Sequence, residues 1–125
     1  MEESLEKDPN NHFVWNKYGG ALANANKPNE AITAYLNALK LRPNYTRTYV
    51  NMGVVHSIVR QRLKASEAFL NALILNPKAD HVWSYLREAL KHTDRKDLKD
   101  KVDAKDPMLF KDDFKLVDPD NLPKP

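Results

Sequence analysis

A chain of 125 residues limits the protein to one small domain, with a hydrophobic core possible but little to spare. The formal charge of +3 has acids and bases intermixed, which argues against a nucleic-acid partner, and the lack of cysteine removes disulfides and thiolate chemistry. No apolar run approaches the roughly 18 residues of a membrane span, and MEESLEKDPN lacks the basic start and apolar centre of a signal peptide, so the expectation is a soluble intracellular protein.

In chain order, residues 1–10 resemble the tail of a unit whose first part is missing, so the chain is expected to begin inside an array, as a piece of a longer protein. Apolar residues at helical spacing then predict helices from about Asn11 to Ala25, Asn29 to Leu41, Tyr45 to Val59, Arg62 to Leu75 and Asp80 to His92. Pro28 falls where a first-turn proline is tolerated, and Pro43 and Pro77 fall just past helix ends. Beyond His92 two short amphipathic pieces are expected. Leu98 and Val102 lie four apart on one, and Met108, Leu109 and Phe110 open the other. The last residues, DPDNLPKP, carry three prolines and are expected to fray.

The stretches AYLNALKLRP (Ala34 to Pro43) and AFLNALILNP (Ala68 to Pro77) match at an offset of 34 residues, and Pro9, Pro43 and Pro77 keep the same register. Two units fill one pattern. Trp15, Tyr18, Gly19, Leu22, Ala31, Tyr35, Ala38 and Pro43 make the first; Tyr49, Met52, Gly53, His56, Ala65, Phe69, Ala72 and Pro77 make the second. This pattern resembles the tetratricopeptide repeat (TPR), which implies an all-α solenoid of helical hairpins. A third unit starts at Trp83 and Leu86 but has Arg87 in place of the glycine, which predicts a terminal unit that packs differently, covered by a C-terminal helical cap. The expected organisation is a remnant at 1–10, TPR units at 11–45 and 46–79, a helical capping bundle at 80–117 and a flexible tail at 118–125. With no preceding helix as partner, the N-terminal face around Leu5 and Asn10-Asn11 should expose apolar surface and self-associate or fray.

No nucleophile, base or ligand set converges at a known spacing. The four histidines sit on separate helices with no cysteine to complete a zinc site, so neither an enzyme nor a cofactor is expected. His56 shares its repeat position with Leu22, which points to packing. Recognition on the inner surface remains, lined by the first helix of each unit. Spacing puts Phe13, Asn16 or Lys17, Gly20 and Asn24 on one such face and Arg47, Asn51, Val54 and Ile58 on the next, apart from the core stripe. An asparagine amide carries donor and acceptor together and suits a peptide group; an arginine one turn away suits a carboxylate. Spacing alone does not separate such a display from ordinary polar residues on an exposed face.

The residues Trp15-Asn16-Lys17, Leu22-Ala23-Asn24, Tyr45-x-Arg47 and Asn51-Met52-Gly53 make the chain similar to the peroxisomal targeting signal type 1 receptors. The resemblance runs from about Asn11 to Val117. It implies a non-catalytic module that reads C-terminal peptides of cargo proteins of the Ser-Lys-Leu kind, in a cytoplasmic receptor that cycles to the peroxisome membrane and meets docking proteins there through regions outside this chain. It also implies peptide-binding roles for Asn16, Asn24 and Asn51, with Arg47 and Lys17 as groove cations. Ile58 departs from the family pattern, which has a further asparagine there, and the opposite wall of the groove would come from earlier repeats. The competing expectation is a generic TPR co-chaperone or scaffold that clamps acidic tails. A weaker one is a structural spacer that binds no peptide.

Overall fold

The computed structural model describes residues 10–118. The described residues form helices α1 (His12–Asn24), α2 (Pro28–Leu41), α3 (Thr46–Ile58), α4 (Arg62–Leu75), α5 (Asp80–Lys91) and α6 (Lys96–Lys101), then 3₁₀ turns at Val102–Ala104 and Pro107–Phe110. The architecture is the all-α stack of TPR hairpins that the 34-residue period implies. Helix ends fall within one residue of the sequence expectation. Asn11 caps α1 by accepting the Val14 N–H on its side-chain oxygen at 3.3 Å, and Pro28 opens α2 where its missing N–H costs nothing.

Each hairpin closes around a glycine and a ring. A Cβ on Gly19 would stand 2.5 Å from the Tyr35 ring, and one on Gly53 would run into the Phe69 ring, so α1 lies directly on α2 and α3 on α4. Alanines make the same approach possible from the other side: Ala31, Ala38, Ala65 and Ala72 are all fully buried. Burial also pushes the Tyr35 and Tyr49 hydroxyls above the ordinary phenol range. Of the expected core stripes, Gly19, Leu22, Met52 and Gly53 are buried, while Trp15, Tyr18, Tyr49 and His56 are partly buried. The His56 ring meets the Gln61 amide oxygen, Nδ1 to Oε1, at 2.9 Å.

The third unit departs where Arg87 replaces the glycine. Its guanidinium is exposed and pairs with Asp103 at 2.6 Å. Among the described residues no second long helix follows α5; Leu98, Val102 and Phe110 cover it instead and join one cluster with Phe69, Leu73, Trp83 and Leu90. The second amphipathic piece differs from expectation. Phe110 is buried, but Met108 and Leu109 are 50% and 43% exposed. Asp106 caps this piece by accepting the Met108 N–H at 3.0 Å, and the resulting three-residue turn points consecutive side chains about 120° apart, so only one of the three faces inward.

After this turn the chain runs back along α4. Asn71, 6% exposed, donates its amide to the Lys115 carbonyl at 3.3 Å and accepts the Val117 N–H at 2.7 Å. Asp113 is held by Arg95 at 3.2 Å and Lys101 at 3.0 Å. The expected remnant, except Asn10, and the expected tail, except Asp118, lie outside the described residues, as does Leu5. At the described start of the array, Phe13 is 46% exposed.

Candidate functional site

The inner surface carries the first helix of each unit, α1, α3 and α5. Asn16 does not stand open on it. Only 7% of its surface is exposed, because it sits in the seam between α1 and α3. Its Oδ1 accepts two hydrogen bonds, from Thr48 Oγ1 at 2.8 Å and from Asn51 Nδ2 at 3.3 Å. Thr48 is fully buried, so Asn16 satisfies a hydroxyl that would otherwise lose its solvation without recompense. The sequence reading placed Asn16 as an amide presented to a ligand. In the structure, half of that amide ties two repeats together.

The other half is free. Asn16 Nδ2 and Asn51 Oδ1 have no partner among the described residues. Neither is a buried orphan: the one buried side-chain nitrogen or oxygen without a partner among those residues is Arg42 Nε. The seam therefore leaves one donor on α1 and one acceptor on α3 without a partner among the described residues. That pair is the hydrogen-bonding complement of a peptide group.

The other three expected site residues surround this seam without bonding to it. Arg47 is exposed, one turn before Asn51 on the same face of α3. Lys17 is exposed, with its ammonium 4.7 Å from the centre of the Phe13 ring. Neither cation has an ion-pair partner among the described residues. Asn24 is exposed at the end of α1, eight residues and ~12 Å along the helix from Asn16. The structure thus joins Asn16 to Asn51 and leaves Lys17, Asn24 and Arg47 as separate points around them.

Thr48 was missed in the sequence reading, though a signal existed. Its repeat equivalents are Val14 and Val82, so a hydroxyl stands where the pattern wants a methyl. An apolar pocket of about 310 Å³ was also missed. It opens between α3, α4 and α5, where Val54, Ile58, Phe69 and Tyr85 come together. At its rim, a hydrogen bond from His92, aided by Lys91, holds the Glu88 carboxyl below the usual carboxylate range. No cluster of three or more His, Asp or Glu that could hold a metal occurs among the described residues, and none of the described helices is long and apolar enough to cross a membrane.

A stack of helical hairpins with paired glycine and ring closures defines a tetratricopeptide-repeat protein, and the family described as "TPR repeat" matches residues 19–57. Within that class the chain is a relative of the peroxisomal targeting signal receptors. It is 30% identical over 123 residues to the receptor of Kluyveromyces lactis, covering 89% of this chain and 22% of that protein. It is 32% identical over 117 residues to the peroxisomal targeting signal 1 receptor of Dictyostelium discoideum, covering 94% and 18%. Over 54 residues it is 43% identical to the Saccharomyces cerevisiae receptor, covering 43% and 9%. The chain spans about a fifth or less of the length of these curated relatives.

Proposed function

We propose that this chain is part of a non-catalytic receptor that binds C-terminal peptides of the Ser-Lys-Leu type on cargo destined for the peroxisome. The observation that carries the reading is the seam between α1 and α3, where Asn16 Nδ2 and Asn51 Oδ1 are left as a donor and an acceptor near the exposed Arg47, which has no ion-pair partner among the described residues. A peptide backbone bonds to such a pair whatever its side chains are, and a free α-carboxylate is the natural partner of Arg47 and Lys17. Asn24 extends the line of amides toward the end of α1. The printed names of the relatives support a receptor of this kind. On this reading the receptor works in the cytoplasm and at the peroxisome membrane, where docking proteins engage regions that the relatives carry beyond the matched stretch.

The test is fluorescence anisotropy of a labelled peptide ending in Ser-Lys-Leu, as free acid and as amide, with wild-type protein and an Asn51→Ala variant. The expected outcome is acid-selective binding that Asn51→Ala weakens by about tenfold, the equivalent of ~1.4 kcal/mol. Equal binding of acid and amide counts against the reading. Because Lys17 and Arg47 have no ion-pair partner among the described residues, the same assay with an Asp-rich peptide serves as the control. Tighter, steeply salt-dependent binding of that peptide would assign the groove to acidic tails instead.

A further inference from the structure

Helices α2 and α4 are the second helices of their hairpins and lie away from the surface that α1, α3 and α5 line. They repeat one pair of residues 34 positions apart, Leu36-Asn37 and Leu70-Asn71, each one turn beyond Thr33 or Glu67 on the same face. On α4 this face holds a strand. The Lys115 N–H is donated to Glu67 Oε2 at 3.3 Å, and the Asn71 amide bonds the Lys115 carbonyl and the Val117 N–H. Phe114 and Leu116 pack against the cluster that contains Leu70, which is fully buried. On α2 the equivalent residues are uncovered. Leu36 is 46% exposed, and the Asn37 amide has no partner among the described residues. Thr33 donates its hydroxyl to the Asn29 carbonyl at 3.2 Å, which leaves the oxygen able to accept an N–H as Glu67 does.

We propose that the outer face of α2, at Thr33, Leu36 and Asn37, docks an extended segment of a partner protein in the way that α4 docks the returning chain. A single exposed leucine is ordinary surface; here the same leucine–asparagine pair, on the same helix of the next hairpin, binds a strand. The bound segment is thereby specified. It has apolar residues on both sides of a residue whose N–H and carbonyl are bonded by α2, as Phe114 and Leu116 flank Lys115. Lys40, exposed and without an ion-pair partner among the described residues, stands where α4 has Ile74, so an acidic residue just past the apolar pair is favoured. A second copy of this chain is the poorer occupant because its own segment is engaged. Freeing it breaks both bonds to Asn71, parts Asp113 from Arg95 and Lys101, and uncovers Leu70, only to make equivalent contacts on α2.

The probe is the peptide KDDFKLVD, the sequence of Lys111 to Asp118, labelled at its N terminus and amidated at its C terminus so that no carboxylate end takes part. Its binding is followed by fluorescence anisotropy with the full chain and with Leu36→Asp and Asn37→Ala variants, each checked for helicity by circular dichroism. Saturable binding to the wild type is expected, weakened about tenfold or more by Leu36→Asp and about tenfold by Asn37→Ala. N-methylation of the peptide at Val117 removes the N–H meant for Asn37. It should cost about tenfold with the wild type and nothing further with Asn37→Ala. A peptide carrying Phe114→Ser and Leu116→Ser should bind at least about tenfold more weakly than the parent. No saturable binding by the helical wild type overturns the proposal. Binding that survives both α2 substitutions puts the peptide elsewhere, including in exchange with the segment on α4, and overturns it too, as does displacement by an unlabelled free-acid peptide ending in Ser-Lys-Leu. Self-association of the chain in sedimentation, abolished by Leu36→Asp, would give the face to a second copy and overturn the partner segment.

Discussion

The two hairpins, α1–α2 and α3–α4, are built alike and finished differently. Where helices meet helices they are interchangeable: Gly19 and Gly53, Tyr35 and Phe69, Ala31 and Ala65, and Ala38 and Ala72 occupy the same places with the same burial. Where they face outward, equivalent positions diverge. Lys17 corresponds to Asn51, Gly20 to Val54 and Asn24 to Ile58. Close approach of two helices tolerates few side chains, whereas an open surface tolerates many, so the repeat preserves its contacts and spends its freedom on the groove.

The strongest test of that likeness is the glycine–ring contact. Phe69→Ala removes a ring that is 2% exposed and is expected to cost ~3–5 kcal/mol, measured by urea denaturation. Gly53→Ala alone should destabilise by ~1–3 kcal/mol, because the new methyl collides with the Phe69 ring despite alanine's better helix propensity. In the Phe69→Ala background the same change should become neutral or stabilising. A double-mutant cycle with no coupling would mean that the glycine serves something other than close packing.

Next in size come two asparagines that the repeat makes equivalent. Asn37 on α2 and Asn71 on α4 stand 34 residues apart, but among the described residues only Asn71 has a segment to hold, bonding the backbone at Lys115 and Val117. Asn71→Ala leaves that backbone N–H and carbonyl without their partner and is expected to cost ~1–3 kcal/mol. Asn37→Ala is expected to fall within ~0.5 kcal/mol of wild type. Thermal or urea melts of the pair decide it. Equal effects would show that the position matters for the helix and not for the returning chain.

The same logic separates Asn16 from Asn24. Asn16→Ala strands the buried Thr48 hydroxyl and should destabilise by ~1–3 kcal/mol, while Asn24→Ala, at an exposed position, should leave stability within ~0.5 kcal/mol. Adding Thr48→Val to Asn16→Ala should recover part of the loss, since no buried hydroxyl is then left unbonded. Failure to recover would locate the cost in the lost volume of Asn16.

These residues also show where sequence reasoning stopped. Helices and their hairpin pairing were legible because a period of 34 forces the same contacts twice, and Arg87 in place of glycine falls in the helix that is followed by a helix of only six residues. The role of Asn16 was not, since face assignment by helical angle gives a direction and says nothing of how near the next helix lies. Asn16 points toward the groove side and is still covered, because α3 packs over it. The pocket escaped for a related reason: its walls come from three helices, and the exposure of Ile58 depends on how α5 is seated without a following long helix. Met108 and Leu109 looked like Phe110 because composition does not report a 3₁₀ turn.

The smallest expected effect concerns how the two hairpins turn. Asn26 and Arg60, again 34 apart, both have φ near +60°, at 61° and 63°. Each follows its helix in the same way. The Lys27 N–H reaches the Leu22 carbonyl at 2.9 Å and the Asn26 N–H the Ala23 carbonyl at 3.1 Å; the Gln61 N–H reaches His56 at 2.8 Å and the Arg60 N–H reaches Ser57 at 3.1 Å. Both are Schellman ends, which need a left-handed residue at this point. Asparagine tolerates that conformation, but an arginine Cβ crowds the following carbonyl at a cost of ~1–2 kcal/mol, part of which glycine's extra unfolded-state entropy takes back. Arg60→Gly is therefore expected to stabilise by ~0.5–1 kcal/mol and Asn26→Gly by no more than a few tenths, read from urea midpoints at unchanged slope. Equal gains at the two turns would mean that asparagine enjoys no advantage here, and a loss at Arg60 would show that its side chain contributes more to the rim of α3 and α4 than its backbone costs.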